Sequence, residues 1–381
     1  VVTHSELPKL SIKADNYFDA GYVEGTILAS AIESNLKDTS FLYPAMRAFF
    51  GAPNNNQDLK KYLRKVLETI PEHYRQEMLG KVQGYNDWID KHKKSEKLTF
   101  ERYLLFQLLP DFYNYRPFIK ENSIRDCFLD KLGCTTIALK LGEYTFLTRV
   151  LDWPAHGVAG KSFLQVERKI GNSPRTVDIG LPLLSGAATV INESGLLIEI
   201  NTSPGDKVFE PQGMPALFFN RYCSENATTV KDIEKLIQDK QPLSAYHLTA
   251  TDGCDTESFH FYQNIDALDK HAIENLESNK NAPQILVVAN NGLKHTANKF
   301  EEINYCDSNQ RKNNIHQFFN YHNKLGIFTP YINKQKNSDL SKQDILELKE
   351  LMLQIARLPL VNNCESVLCA MYVYQSGKLV D

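Results

Sequence analysis

The feature that most constrains this chain is an abrupt change of character at Gly133-Cys134. Before that point, apolar residues recur at helical spacing. Residues 21 to 37 bring Val23, Ile27, Leu28, Ile32 and Leu36 toward one face. Residues 57 to 69 and 72 to 92 repeat the pattern, and Pro71 stands between them where a helix start tolerates proline. Residues 99 to 113 form a further apolar helix that Pro110 interrupts.

After Gly133 strands take over. CTTIALKL and EYTFLTRVLDW read as a pair joined at Leu141-Gly142, followed by SFLQVERKI. AATVINESGLLIEIN turns at Glu193-Ser194-Gly195, a strong hairpin signal. AYHLTAT, FHFYQN, QILVVAN and SVLCAMYVY add strands. Helices return at 214 to 239, around 308 to 322 and at 341 to 356, with Thr228 or Thr229 as an N-cap ahead of VKDIEKLIQ. Hairpin-connected strands separated by helices favour mixed α/β layers over a doubly wound parallel sheet.

Composition removes several function classes. A net charge of −3 with basic and acidic residues interspersed leaves no electrostatic footprint for nucleic acid. No apolar run is long enough for a membrane span. No glycine-rich phosphate loop follows a strand, so no nucleotide cofactor is expected, and no cysteine-histidine spacing fits a metal. Seven cysteines are an odd number, so at least one is free; a Cys364–Cys369 disulfide stays open. Sequons at Asn192, Asn201 and Asn226 matter only in a secreted protein.

A cysteine that opens a strand after a glycine has particular chemical potential. If its thiol attacks the Gly133 carbonyl, the peptide rearranges to a thioester and hydrolyses, which leaves Cys134 with a free α-amine. One residue then supplies both nucleophile and base, since such an amine has a pKa near ~8. Gly133 is expected to tolerate the strained conformation that attack requires. The bland alternative is a buried, inert cysteine. Alternation along RVLDWP puts Arg149 and Leu151 on one face and Val150 and Asp152 on the other. An arginine near Cys134 would lower the thiol pKa and hold a substrate oxygen, and Asp152 could accept from the new α-ammonium. Viewed alone, the two residues read rather as a surface Arg-Asp pair near a β-turn.

GCTT followed by RVLDWP resembles the linear-amide branch of the N-terminal nucleophile (Ntn) hydrolases, which includes acid ceramidase, N-acylethanolamine acid amidase, bile-salt hydrolases, penicillin V acylase and isopenicillin N acyltransferase. The Gly-Cys-Thr-Thr junction looks most like the acyltransferase subgroup. INESGLLIEIN is similar to that branch's asparagine-glycine hairpin, VVANN to its oxyanion-asparagine segment, and SNQRKNNIHQFF to its S-x-x-R helix start.

The resemblance implies an α+β fold, a four-layer αββα sandwich with a mainly helical N-terminal segment. It implies a small subunit of residues 1–133 and a catalytic one of 134–381, parted at Gly133-Cys134 by self-cleavage, the first staying bound to the second. It implies catalytic roles for Cys134, Arg149, Asp152, Asn290 and Arg311, with the Asn290 side chain donating to the oxyanion, Asn291 as its rival for that role because Ala289 replaces the usual threonine, and Ser308 a lesser candidate. Trp153, Asn192 and Asn291 are expected to touch substrate. No cofactor or metal is implied, and the substrate is a small N-acyl amide handled by hydrolysis or acyl transfer. A secreted, periplasmic or lysosomal setting is expected. The aromatic stretches 41–50 and 102–118 are read as helix-helix core, with an acyl groove as the alternative. The rivals are a lapsed binding protein on this fold, a papain-like thiol protease, for which no histidine stands in a recognisable motif, and a phospholipase B-like protein of the same architecture.

Overall fold

The structure is a computed structural model. It describes residues 7–38, 40, 44, 56–94, 96–113, 133–152, 162–203, 212–261, 268–276, 282–296, 299–303, 307–335, 339–362 and 366–380. Trp153, Cys364 and the 41–50 stretch apart from Pro44 lie outside them.

In chain order the elements begin with β1 (Lys9–Ala14), α1 (Tyr17–Ile27), α2 (Ala29–Asp38), α3 (Asn56–Thr69), α4 (Glu72–Lys91), α5 (Phe100–Gln107) and α6 (Leu109–Tyr113). The strand-rich part follows with β2 (Cys134–Leu141), β3 (Tyr144–Asp152), β4 (Leu164–Ile170), β5 (Thr176–Gly180), β6 (Thr189–Asn192) and β7 (Leu197–Thr202). Then come α7 (Ala216–Asn226), α8 (Val230–Asp239), β8 (Tyr246–Thr251), β9 (Thr256–Phe261), β10 (Leu268–Ala272), β11 (Glu274–Asn275) and β12 (Gln284–Val288). A hairpin of β13 (Gly292–Thr296) and β14 (Lys299–Ile303) precedes α9 (Ser308–Lys324), α10 (Thr329–Gln335) and α11 (Lys342–Ala356), and β15 (Ser366–Gln375) and β16 (Lys378–Leu379) close the chain.

Two sheets form the body. One runs β1-β4-β5-β6-β7-β8-β9-β10 and the other β11-β12-β2-β3-β15-β16. Strand alternation explains why they stack. Along β2, Ala138 joins the core shared with the first sheet, whereas Ile137, Leu139 and Leu141 pack under α9 and α11. Leu147 and Leu151 of β3 face the first sheet, and Phe146 and Val150 face the helices. Helices α7 and α4 cover the first sheet's other side through Leu217, Phe218, Tyr74 and Met78. The result is the expected αββα sandwich.

The N-terminal part is less purely helical than its sequence suggests. Lys9–Ala14 adds a strand parallel to β4 at the sheet's edge. Helices α1 and α4 touch backbone to backbone: a Cβ at Gly25 would sit 2.1 Å from the Lys81 carbonyl oxygen, and one at Gly80 2.0 Å from that of Phe18. GYVEG is thus a helix-helix contact, small residues letting the axes close. Tyr103, Leu104, Leu105 and Phe106 are buried in the main core, so this part of the second aromatic stretch is packing rather than groove.

At the end of this region, Asp111 is buried and accepts from the Ala216 N–H at the start of α7 and from Ser244 Oγ at 2.6 Å. Burial pushes its carboxyl up to about 7, against the pull of those hydrogen bonds. The native state therefore holds this proton more tightly than the unfolded chain does, so stability is present in acid and declines as pH rises through about 7. Asp111→Asn should remove that slope. Between about pH 5 and pH 8 wild type should lose about 2–3 kcal/mol more than the variant, measured by urea unfolding. Parallel losses in the two proteins would exclude Asp111 as the source.

Candidate active site

Pairing of β2 with β3 sets Cys134 opposite Leu151 and Thr136 opposite Arg149. Cys134, Thr136 and Arg149 therefore share the face between the sheets, as the alternation of RVLDWP predicts. Arg149 is fully buried, and its Nη1 donates to the Ala188 carbonyl and Thr189 Oγ1, both at 2.6 Å. Its Nη2 donates to the Ile200 carbonyl at 2.7 Å and lies 3.8 Å from Cys134 Sγ. Burial raises the Cys134 thiol above its ordinary value, although Arg149 pulls it down. Arg149 alone does not make a thiolate here, contrary to the expectation from sequence.

Asp152 lies on the opposite face, and its backbone N–H donates to the Gly133 carbonyl oxygen at 2.7 Å. Ser366 Oγ donates to Asp152 Oδ1 at 2.6 Å. A Cβ on residue 133 would meet Asp152 Oδ2 at 2.7 Å. Gly133 is not among the positive-φ residues, so glycine is needed for this close approach and not for a strained backbone.

The Cys134 N–H donates to Asn290 Oδ1 at 2.7 Å. Arg311, at the first turn of α9, reaches the same oxygen with Nη2 at 2.7 Å. Its Nη1 donates to the Cys134 carbonyl at 2.8 Å and to Thr135 Oγ1 at 2.6 Å, while Ser308 Oγ accepts from Arg311 Nη2 and from the Asn290 N–H. With two donors on one side, the Asn290 oxygen must face them and its Nδ2 must face away. Nδ2 indeed donates to the Thr202 carbonyl at 2.7 Å and to Thr202 Oγ1 at 3.1 Å. The expected oxyanion donor is thus an acceptor for Cys134 N in this arrangement, and its donor groups are engaged by Thr202.

Asn192 requires a second correction. Its Oδ1 accepts from the Ser194 and Leu196 N–H groups, and its Nδ2 donates to the Ser224 and Ala227 carbonyls. All its hydrogen-bonding capacity ties the β6–β7 turn to the end of α7, leaving nothing to offer a substrate. Asn291 is buried, its side chain bonds Asn309, and it lines a cavity with His247 and His260. Trp153 lies outside the described residues. Among the described residues Cys369 carries a free thiol, and its considered partner Cys364 lies outside them.

Sequence reasoning passed over Glu199. It is fully buried between the sheets, accepts from Thr136 Oγ1 at 2.9 Å, and is held above the ordinary carboxylate range by burial, with Arg149 opposing. The alternation of LIEINT, which sets Glu199 and Asn201 on one face, was the available signal. Thr189 and Thr202 were missed as well, because a threonine in a strand carries no mark of its partner.

The arrangement gathers a thiol, two guanidiniums and a carboxamide around one peptide bond. Residues 179–342 match the sequence model of the acyl-coenzyme A:6-aminopenicillanic acid acyl-transferase family. Over that segment, less than half of its length, the chain is similar to that family. The matched segment contains Asn290 and Arg311 but stops short of Cys134 and Arg149. Among solved structures, the chain is similar to an N-acylethanolamine-hydrolyzing acid amidase ortholog from Caenorhabditis elegans, at 13% identity and a TM-score of 0.44 over 64% of this chain and 94% of that one. Two variants of the conjugated bile acid hydrolase from Clostridium perfringens each give 10% identity and a TM-score of 0.37 over 64% of this chain and 89% of theirs. No curated protein matches the chain.

Proposed function

We propose that this chain is the precursor of a cysteine Ntn enzyme that cuts itself at Gly133-Cys134 and then acts on a non-peptide N-acyl amide through a thioester at Cys134. The observation that carries this reading is the clamp on one peptide bond: Gly133 oxygen on the Asp152 N–H, Cys134 nitrogen on Asn290, and Cys134 oxygen on Arg311.

In the first step the Cys134 thiol adds to the Gly133 carbonyl carbon, and the Asp152 N–H supports the charge that develops on its oxygen. The C–N bond breaks, the nitrogen takes the thiol's proton, and a thioester joins Gly133 to Cys134. That step frees the Cys134 α-amine, and water then hydrolyses the thioester to release the Gly133 carboxylate and the Cys134 thiol. Asn290 Oδ1, already bonded to this nitrogen, then orients the amine so that its lone pair serves the thiol.

With an amide substrate the α-amine takes the thiol proton and later delivers it to the departing amine. Arg149 stabilises the thiolate as it forms, which offsets the burial that keeps the resting thiol protonated. Water releases the acyl group in hydrolysis, and an amine or alcohol does so in transfer. Residues 1–133 remain bound as the smaller subunit.

A panel of N-acyl amides with varied acyl and amine halves tests the chemistry. Wild type should release amine and carry a transient acyl mass on the 134–381 fragment after an acid quench, and Cys134→Ala should do neither. Amide cleavage by Cys134→Ala within about tenfold of wild type, a gap of only ~1.4 kcal/mol in barrier, would remove Cys134 from the reaction.

A further inference from the structure

A cavity of ≈ 380 Å³ opens where the two sheets part, between β8, β9 and β10 on one side and β11, β12 and α9 on the other. Its buried floor is formed by His247, Ser258, His260 and Asn291, and Asp269, Glu274 and Lys312 stand at its rim. Alternation explains the floor: His247 of β8 lies in register with His260 of β9, and both turn inward, where their rings stack at 3.9 Å. No chemistry assigned to Cys134 uses them.

The floor has one unmet requirement. His247 Nε2 lies 2.7 Å from the Asn291 carbonyl oxygen, which can only accept, so Nε2 carries the proton. Nδ1 is then a lone pair, and it has no hydrogen-bond partner among the described residues although His247 is 6% exposed. A buried acceptor left bare costs about 1–3 kcal/mol. Burial pushes the imidazole down to about 4, so it remains a neutral acceptor at neutral pH. The rim adds the carboxylates of Asp269 and Glu274 against Lys312, with the His271 and His316 imidazoles also on the lining. Floor and rim together ask for hydrogen-bond donors and a positive charge, while Ile285, Leu286, Val287 and Val288 supply an apolar wall for a short aliphatic spacer.

From this geometry we infer that the cavity binds a compact, donor-rich amine, with one N–H on His247 Nδ1 and its ammonium toward Asp269 and Glu274. Asn291 on the floor directly follows Asn290, which holds the Cys134 nitrogen, so the chain segment after β12 joins the cavity to the acyl-transfer centre, although Cys134 itself does not line the cavity. Resting on the function proposed above, the amine is the acyl acceptor: its nitrogen attacks the thioester carbonyl carbon, a C–N bond forms as the C–S bond breaks, and its lost proton goes to the Cys134 thiolate. The site itself does not depend on that role.

The test uses 1,3-diaminopropane as probe and butyrate as an acceptor-only control of similar size. Titration calorimetry on the full-length Cys134→Ala protein should give saturable diamine binding of roughly millimolar Kd, reasonable for so few atoms. Butyrate should bind at least about tenfold more weakly, ~1.4 kcal/mol. Ala272→Trp, on the exposed strand β10 at the cavity mouth, should abolish diamine binding, and Asp269→Asn with Glu274→Gln should weaken it severalfold. Equal binding of butyrate, no saturation by the diamine, or diamine binding unaltered by Ala272→Trp would each overturn the site. Wild type supplied with an acyl donor then reports on the role. Diamine binding without acylated diamine would leave the site standing and refute the acceptor role, and no acyl chemistry with any donor would refute the amidase reading.

Discussion

Asn290→Leu should fold and yet cut its own chain about 100-fold more slowly than wild type, the loss that follows when a reacting group is misplaced by about an ångström. Leucine cannot accept from the Cys134 N–H or from Arg311 Nη2, so both donors lose the oxygen that joins them. The Thr202 carbonyl loses its donor too, and stability should fall by about 1–3 kcal/mol. Asn290→Asp separates the two jobs this residue could have. It keeps an oxygen for Cys134 and Arg311 and removes the Nδ2 donor that faces Thr202. If acceptance is what self-cleavage needs, the aspartate variant should cut within about tenfold of wild type, a barrier change under ~1.4 kcal/mol. Quantifying fragments on a denaturing gel over time decides it. An aspartate variant as slow as the leucine variant would restore the donor role expected from sequence.

The largest effect on stability is expected at Glu24. This carboxylate of α1 is buried, with Lys81 Nζ of α4 at 2.5 Å and Arg168 Nη2 of β4 at 2.9 Å. Arg168 also bonds Asp178, and Glu77 receives Arg221 of α7 at 2.7 Å. These charges link the helical N-terminal region to the sheet and its covering helix. Burial alone would raise the Glu24 carboxyl, but Arg168 and then Lys81 outweigh it and hold it below its ordinary value. Its contribution is therefore present above the unfolded carboxyl's pKa of about 4.5 and is lost as pH falls through the lower folded one. Glu24→Gln leaves two buried cations short of a counter-charge and should cost about 3–5 kcal/mol at neutral pH. Urea unfolding measures this, and a loss under about 1 kcal/mol would mean that the cluster is not coupled as its geometry implies. Because Glu24 and Arg168 lie on opposite sides of residue 133, the variant should also loosen the two fragments after cleavage.

Much of the fold was legible because the hydrophobic periodicity was strong. CTTIALKL and EYTFLTRVLD announced β2 and β3, and the INESGLLIEIN turn announced β6 and β7. The strand Lys9–Ala14 was not legible, since its partner β4 lies more than 150 residues away and no hairpin marks it. Thr176–Gly180 is short and carries a charged Asp178 that belongs to the buried cluster. At the site, alternation correctly set Arg149 and Asp152 on opposite faces, and the S-x-x-R spacing brought Ser308 and Arg311 to one turn. Hydrogen-bond direction was beyond a sequence reading. Whether Asn290 offers oxygen or nitrogen to Cys134 depends on Arg311 and Thr202, which meet it only after folding. Asn192 looked like a ligand for the same reason, since a turn-locking asparagine and a substrate-binding one have the same letter and the same neighbours.

The central claim concerns one bond, and it is tested most directly by denaturing gel and intact mass of wild type and Cys134→Ala after incubation at acid and neutral pH. Wild type should yield fragments of about 15 and about 28 kDa at ~110 Da per residue, the larger beginning at Cys134 with a free α-amine. Cys134→Ala should remain one chain throughout. Intact wild type under every condition, or the same cut in Cys134→Ala, would contradict self-cleavage at Gly133-Cys134.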